Sequence, residues 1–245
     1  MLRRHLLRLA LAATLVAAFA GCGTPSAPIP SRSVKAGKKP VSAAPDRLRS
    51  WADDSVAKLA LAAYLARVTD GESPDYIPPA ERVVAVSADL LEPNGPALVP
   101  APLAEAVAAL RTAGFRLVFV SDSDPSVLRA AARASGEVPA EEIVGAYPQA
   151  DYVVREGRPV IATRGDATRT AKPVVLHQAL GLRPVVAFGR TVADLPLLEY
   201  ATLANPRPSL ALLIGRPVPA PLAAEAARSS WLLVDPATDW EQNRR

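Results

Sequence analysis

Arg82-Val83-Val84-Ala85-Val86-Ser87-Ala88-Asp89-Leu90-Leu91 is the stretch around which the rest of the chain is arranged. A charged residue followed by four apolar ones predicts a short strand over Val83–Val86 that is buried on both faces, as in a parallel sheet. The strand delivers two polar residues, Ser87 and Asp89, to its carboxyl end. In open α/β sheets the chemistry collects just beyond such ends.

Outward from this strand, helical and strand patterns alternate. Upstream, Ser50-Trp51-Ala52-Asp53 reads as a helix start with Ser50 as N-cap, and Val56, Leu59, Ala60, Ala63 and Tyr64 recur at helical spacing to about Val68. Downstream, Pro102 suits the first turn of a helix that reaches Ala113 and is closed by Gly114. A second apolar strand, Phe115–Val120, ends in Ser121-Asp122-Ser123. Asp124-Pro125 then reads as an N-cap followed by proline, opening a helix to about Ser135.

Tyr152–Val154 and Pro159–Thr163 suit a hairpin around Gly157, and residues 171–180 suit a helix carrying Lys172 and His177. Pro184–Phe188 is a further buried strand, ending in Gly189-Arg190-Thr191-Val192-Ala193-Asp194. A helix from Asp194 to Ala201, a strand at Leu210–Ile214, a helix at Ala220–Arg228 and a strand at Trp231–Val234 complete the pattern. This alternation predicts a doubly wound, Rossmann-like parallel sheet of the α/β class.

Composition narrows the function. The chain has 245 residues and a formal charge of +4. Residues 1–45 hold seven cations and no acid; removing those seven from 28 leaves 21 cations against 24 acids, a net of −3. The basic character therefore belongs to the first 45 residues, and the body has no nucleic-acid signature. A single cysteine, Cys22, excludes an intrachain disulfide and a thiolate-rich metal cage. Only His177 lies outside the leader, which rules out a multi-histidine zinc site; as a half-exposed helix residue it is not read as a ligand.

Residues 1–21 read as an export signal, with Arg3, Arg4 and Arg8 before an apolar run of about a dozen residues, shorter than a membrane span. The run ends Ala18-Phe19-Ala20-Gly21-Cys22, which resembles the lipobox of bacterial lipoproteins. That resemblance implies cleavage before Cys22, lipidation of Cys22 and anchorage to a membrane of the bacterial cell envelope. Residues 22–45, rich in proline and lysine, read as an extended tether, and residues 46–245 as one domain.

Ser87/Asp89, Ser121, Lys172 and Thr191/Asp194 follow one another in an order that resembles the haloacid dehalogenase (HAD) superfamily, in particular its phosphoserine-phosphatase-like branch. The likeness is carried by Leu48-Arg-Ser-Trp51-Ala-Asp53, Pro74-Asp75 through Pro79-Ala-Glu-Arg82, Lys172-Pro173, Arg183-Pro184, Ala187-Phe188-Gly189 and Asp239-Trp240. It implies that Ser87, Asp89, Ser121, Lys172 and Asp194 stand at catalytic positions, and that Ser121 and Lys172 face a phosphate. Active members use an aspartate nucleophile, a second aspartate as general acid/base, and Mg²⁺.

This chain departs from that pattern at the positions that matter most. Ser87 replaces the nucleophile, and a serine hydroxyl needs an adjacent base to attack. Arg190 stands where a metal-binding carboxylate is expected, and guanidinium has no lone pair for a metal. Only residues 90–114 separate Asp89 from the second strand, so the cap domain is expected to be reduced or absent.

No cofactor is expected, with Mg²⁺ on Asp89 and Asp194 only if catalysis survives. The leading expectation is a pseudoenzyme with a binding or scaffold role, in which Arg190 sits among Asp89, Asp122 and Asp194 in place of the metal. Two alternatives are an active phosphomonoester hydrolase with Ser87 activated by Asp89 and with Ser121, Lys172 and Arg190 clamping the phosphate without metal, and a metal-free anion sensor using Lys172 and Arg190.

Overall fold

The computed structural model describes residues 47–156, 158–164 and 169–241. The expected leader and tether, with Cys22, and the expected hairpin turn residue Gly157 lie outside the described residues.

Six strands form one parallel sheet: β1 (Val83–Ser87), β2 (Arg116–Val120), β3 (Ile143–Val144), β6 (Val186–Gly189), β7 (Leu210–Ile214) and β8 (Leu232–Val234). Their spatial order is β3-β2-β1-β6-β7-β8. All five residues of β1 are buried, as its unbroken apolar run requires for a strand flanked by neighbours and covered on both faces.

Among the described residues six helices cover the sheet: α1 (Val56–Thr69), α2 (Ala101–Thr112), α3 (Ser126–Ser135), α4 (Lys172–Leu180), α5 (Leu195–Thr202) and α6 (Ala220–Arg228). Alternate residues of each strand feed opposite layers. Val84, Val86, Phe119, Phe188 and Ile214 pack with α1, α2 and Ala132 of α3. On the other face Ala85, Val118 and Val120 meet Val175 and Leu176 of α4 and Leu197 of α5, while Ala187, Ala211 and Leu213 meet Leu198 of α5 and Leu222 and Ala226 of α6. The chain moves outward from β1 through β2 to β3, then from β6 through β7 to β8 in the opposite direction. Crossovers of one hand must then place the two sets of helices on opposite faces.

The remaining strands, β4 (Gln149–Arg155) and β5 (Arg158–Arg164), form a separate antiparallel hairpin in which Tyr152 pairs with Ile161. The hairpin is inserted between β3 and α4, and Tyr152, Val154 and Ile161 on it are exposed. Between β1 and β2 there is a short 3₁₀ turn, a loop and α2, with no inserted cap.

Several expected boundaries shift. Helix α1 starts at Val56, not near Trp51, and its N-cap is Ser55. Ser50 instead donates its backbone N–H and its hydroxyl to the two carboxylate oxygens of Glu105, at 2.8 and 2.9 Å. This frees Trp51 to bury its ring edge-on to Trp240, with centroids 6.4 Å apart, and to donate its indole N–H to the Pro102 carbonyl at 2.8 Å. Helix α3 starts one residue later than expected, at Ser126, with Asp124 accepting from the Ser126 N–H at 2.8 Å. Strand β3, too short to show a period, has no counterpart in the sequence reading.

Candidate functional site

Strand β1 lies beside β6, and the chain leaves the two in opposite directions. That divergence opens the sheet edge at their carboxyl ends, the usual place for a site in this architecture. Ser87 closes β1 and caps the 3₁₀ turn Ala88–Leu90, its Oγ accepting from the Asp89 N–H at 3.2 Å. The turn brings the Asp89 side chain to the rim, where it is 37% exposed.

Opposite it, Lys172 opens α4 from the other side of the edge, with its side chain fully buried. Its Nζ donates to Asp89 Oδ2 at 2.8 Å and to Asp194 Oδ1. Asp194 is itself fully buried. Its second oxygen accepts the backbone N–H groups of Arg190 and Thr191 at 2.7 and 2.8 Å. The Thr191 hydroxyl lies 3.2 Å from Asp89 Oδ2 and 3.3 Å from Asp194 Oδ2, and its single proton serves one of them at a time.

Local sequence explains how Asp194 reaches this position. Thr191 and Asp194 form a reciprocal capping box over the 3₁₀ turn Val192–Asp194 that leads into α5. The turn folds back against the end of β6, so closely that a Cβ at Gly189 would lie 2.9 Å from Asp194 Cβ and 3.2 Å from the Leu198 side chain. Only glycine leaves room for that approach.

Burial pulls the Lys172 ammonium toward its neutral form. The field of Asp194, its hydrogen bond to Lys172 and the contacts from Asp89 outweigh that pull and hold the pKa above the ordinary lysine value. The ammonium is thus a fixed cation between two carboxylates, and the three groups together carry a net −1.

The other expected site residues do not join this cluster. The Ser87 hydroxyl is buried and accepts from the Asp89 backbone N–H, with no hydrogen bond to the Asp89 carboxylate among the described residues. Ser121, one residue beyond the Ser87–Val120 register pair, shares a hydrogen bond with the Ser123 hydroxyl at 3.2 Å and is buried. Asp122 pairs with Arg169 at 3.4 Å.

Arg190 corrects the expectation most sharply. Its side chain is exposed and forms no ion pair with Asp89, Asp122 or Asp194 among the described residues. The cation between Asp89 and Asp194 is Lys172. Physically, the Arg190 backbone N–H is held by Asp194, and the residue is exposed and lines a groove with Leu90, Leu103 and Trp240.

The donor set does not suit a resident Mg²⁺, which the family resemblance implies for active members. Mg²⁺ demands six near-ideal oxygen ligands. Here Asp89 and Asp194 share one ammonium, and no group of three or more metal-binding acids, histidines or cysteines occurs among the described residues.

The sequence places Thr191 with Asp194 at the end of the strand but gives its hydroxyl no role of its own. The signal for it is the Thr-x-x-Asp spacing of a capping box, which fixes where Asp194 must point.

No protein-family model matches this chain, and no curated protein matches it either.

Proposed function

We propose that this chain is a lipid-anchored, catalytically silent relative of the HAD phosphatases, acting as a binding or scaffold protein of the bacterial cell envelope. The observation that carries this reading is the Lys172 bridge. Its ammonium occupies the space between Asp89 and Asp194, while the hydroxyl at the nucleophile's position accepts from the Asp89 backbone N–H and forms no hydrogen bond with either carboxylate among the described residues. Activation of a serine needs a base in hydrogen-bond reach, and Asp89 has its Oδ2 engaged by Lys172 and Thr191, with no hydrogen bond between its carboxylate and Ser87 among the described residues. The net negative charge of the cluster also disfavours a phosphate dianion beside it, which weakens the alternative of a phosphomonoester hydrolase using Ser87.

Anchorage rests on the apolar run and the small residues that precede Cys22. No helix among the described residues is long and apolar enough to cross a membrane.

The test is hydrolysis of p-nitrophenyl phosphate with and without Mg²⁺. The wild-type chain is expected to show no turnover, and no phosphoserine at Ser87 by mass spectrometry. Mg²⁺-dependent turnover abolished by Asp89→Asn would overturn the reading. Fatty-acid labelling lost in Cys22→Ser tests the anchor separately.

A further inference from the structure

A second concavity lies on the same sheet edge, on the α2 side. It has a volume of about 330 Å³ and collects residues from four strand ends: Leu90 after β1, Arg190 after β6, Ile214 through Arg216 at β7, and Pro236 and Ala237 after β8. Leu103 of α2 and Trp240 complete the wall. A volume of this size suits a small ligand.

Its chemistry is divided. Leu90, Leu103, Ile214 and Trp240 form the apolar part of the lining, the first three largely buried behind it and Trp240 half-buried. The charged members are Arg190, Arg216 and Glu92, two cations against one carboxylate. Arg216 already has Asp235 at 3.6 Å. Arg190 has no ion pair among the described residues, so its guanidinium is the donor with unused capacity. Trp240 carries the one buried side-chain N–H without a partner among the described residues. Such orphans are rare in folded proteins.

The wall is also held in place before any ligand arrives. The loop before α2 is pinned by Glu137, whose carboxylate accepts the Leu98 and Val99 N–H groups at 3.0 Å each, and by the Glu92 N–H bonded to the Leu98 carbonyl at 2.8 Å. A preformed wall lowers the ordering cost of binding.

We propose that this groove binds a small amphiphilic anion, with Arg190 holding the anionic head and Leu90, Leu103, Ile214 and Trp240 enclosing the apolar body. The site is distinct from the Lys172 cluster and does not depend on any phosphatase ancestry. It also gives Arg190 a role that the carboxylate cluster does not.

The test uses the full chain and naphthalene-1-sulfonate, a permanent anion with a rigid apolar body and no phosphate chemistry. The readout is the indole N–H resonance of Trp240, identified among the three tryptophans by Trp240→Phe. A saturable shift of that resonance is expected. Sulfate alone and 1-naphthol alone should each bind at least tenfold more weakly, because each lacks one half of the recognition. Arg190→Gln, an exposed substitution, should weaken binding of the sulfonate at least tenfold, and Glu92→Gln should strengthen it. A Trp240 signal unmoved by the sulfonate, or affinity unchanged in Arg190→Gln, would overturn the proposal. Neither result bears on p-nitrophenyl phosphate hydrolysis, so the two readings fail independently.

Discussion

Lys172 Nζ stands 2.8 Å from Asp89 Oδ2, bridging residues 83 positions apart across the point where the sheet changes direction. The same nitrogen holds Asp194, so one buried ammonium ties β1, α4 and the turn after β6 together.

Removing that ammonium should be costly. Lys172→Met leaves the fully buried Asp194 without its counter-ion, and breaking a buried pair from one side costs about 3–5 kcal/mol. The backbone N–H groups of Arg190 and Thr191 still hold Asp194, which places the expected loss near the lower bound. Lys172→Met combined with Asp194→Asn should be less destabilising than the sum of the two single changes. Urea denaturation of the four proteins in the cycle measures the coupling, and strict additivity would contradict the bridge.

The alkaline limb of stability should carry the marks of Lys172 and Tyr64. The folded pKa of Lys172 is raised, so its contribution is complete below the unfolded lysine value, near pH 10.4, and is lost as pH rises through the higher folded value. Tyr64 is also raised, chiefly by burial, so stability falls as pH climbs above its unfolded value of about 10. Unfolding midpoints measured from pH 8 to 12 should fall less steeply in Tyr64→Phe and in Lys172→Met than in the wild type.

Arg82 is a buried cation whose partners are carbonyls. Its guanidinium donates to Ile77 O at 2.8 Å and Ala113 O at 2.9 Å, and lies 5.4 Å from the Tyr76 ring centre. Arg82→Ala should cost about 3 kcal/mol, since it strands buried acceptors and removes the packed stem. Arg82→Met, which keeps most of that stem, should cost about 1 kcal/mol less. Thermal unfolding distinguishes the two.

Gly189→Ala tests the close approach of the Asp194 turn. A Cβ only 2.9 Å from Asp194 Cβ forces the turn outward, at about 1–3 kcal/mol. The displaced Asp194 should also perturb the Lys172 ammonium resonance. A Gly189→Ala chain unchanged in both stability and spectrum would show that the turn has slack.

Much of this could be read from the residues alone. Leu210–Ile214 and Ala220–Arg228 were expected with the bounds they have, because each is a short apolar or helical run between clear breakers. The hairpin was expected from its two apolar runs, and β4 starts three residues earlier while the other three strand ends extend by one residue, because antiparallel pairing continues once started. The start of α1 was misplaced because Ser50 and Ser55 are both good caps by type. Only the distant Glu105 decides that Ser50 is used elsewhere.

The sequence by itself determined the layered α/β fold and which residues reach the carboxyl edge, since strand periodicity, caps and breakers act over a few neighbouring positions. Only the tertiary structure decided which cation enters the carboxylate pair. Lys172 and Arg190 both arrive at the edge, the first with α4 and the second at the end of β6. Packing of α4 buries the lysine between Asp89 and Asp194, while the capping turn holds the Arg190 backbone and leaves the residue exposed at the groove. That choice depends on contacts between segments far apart in the chain, and no local pattern encodes it.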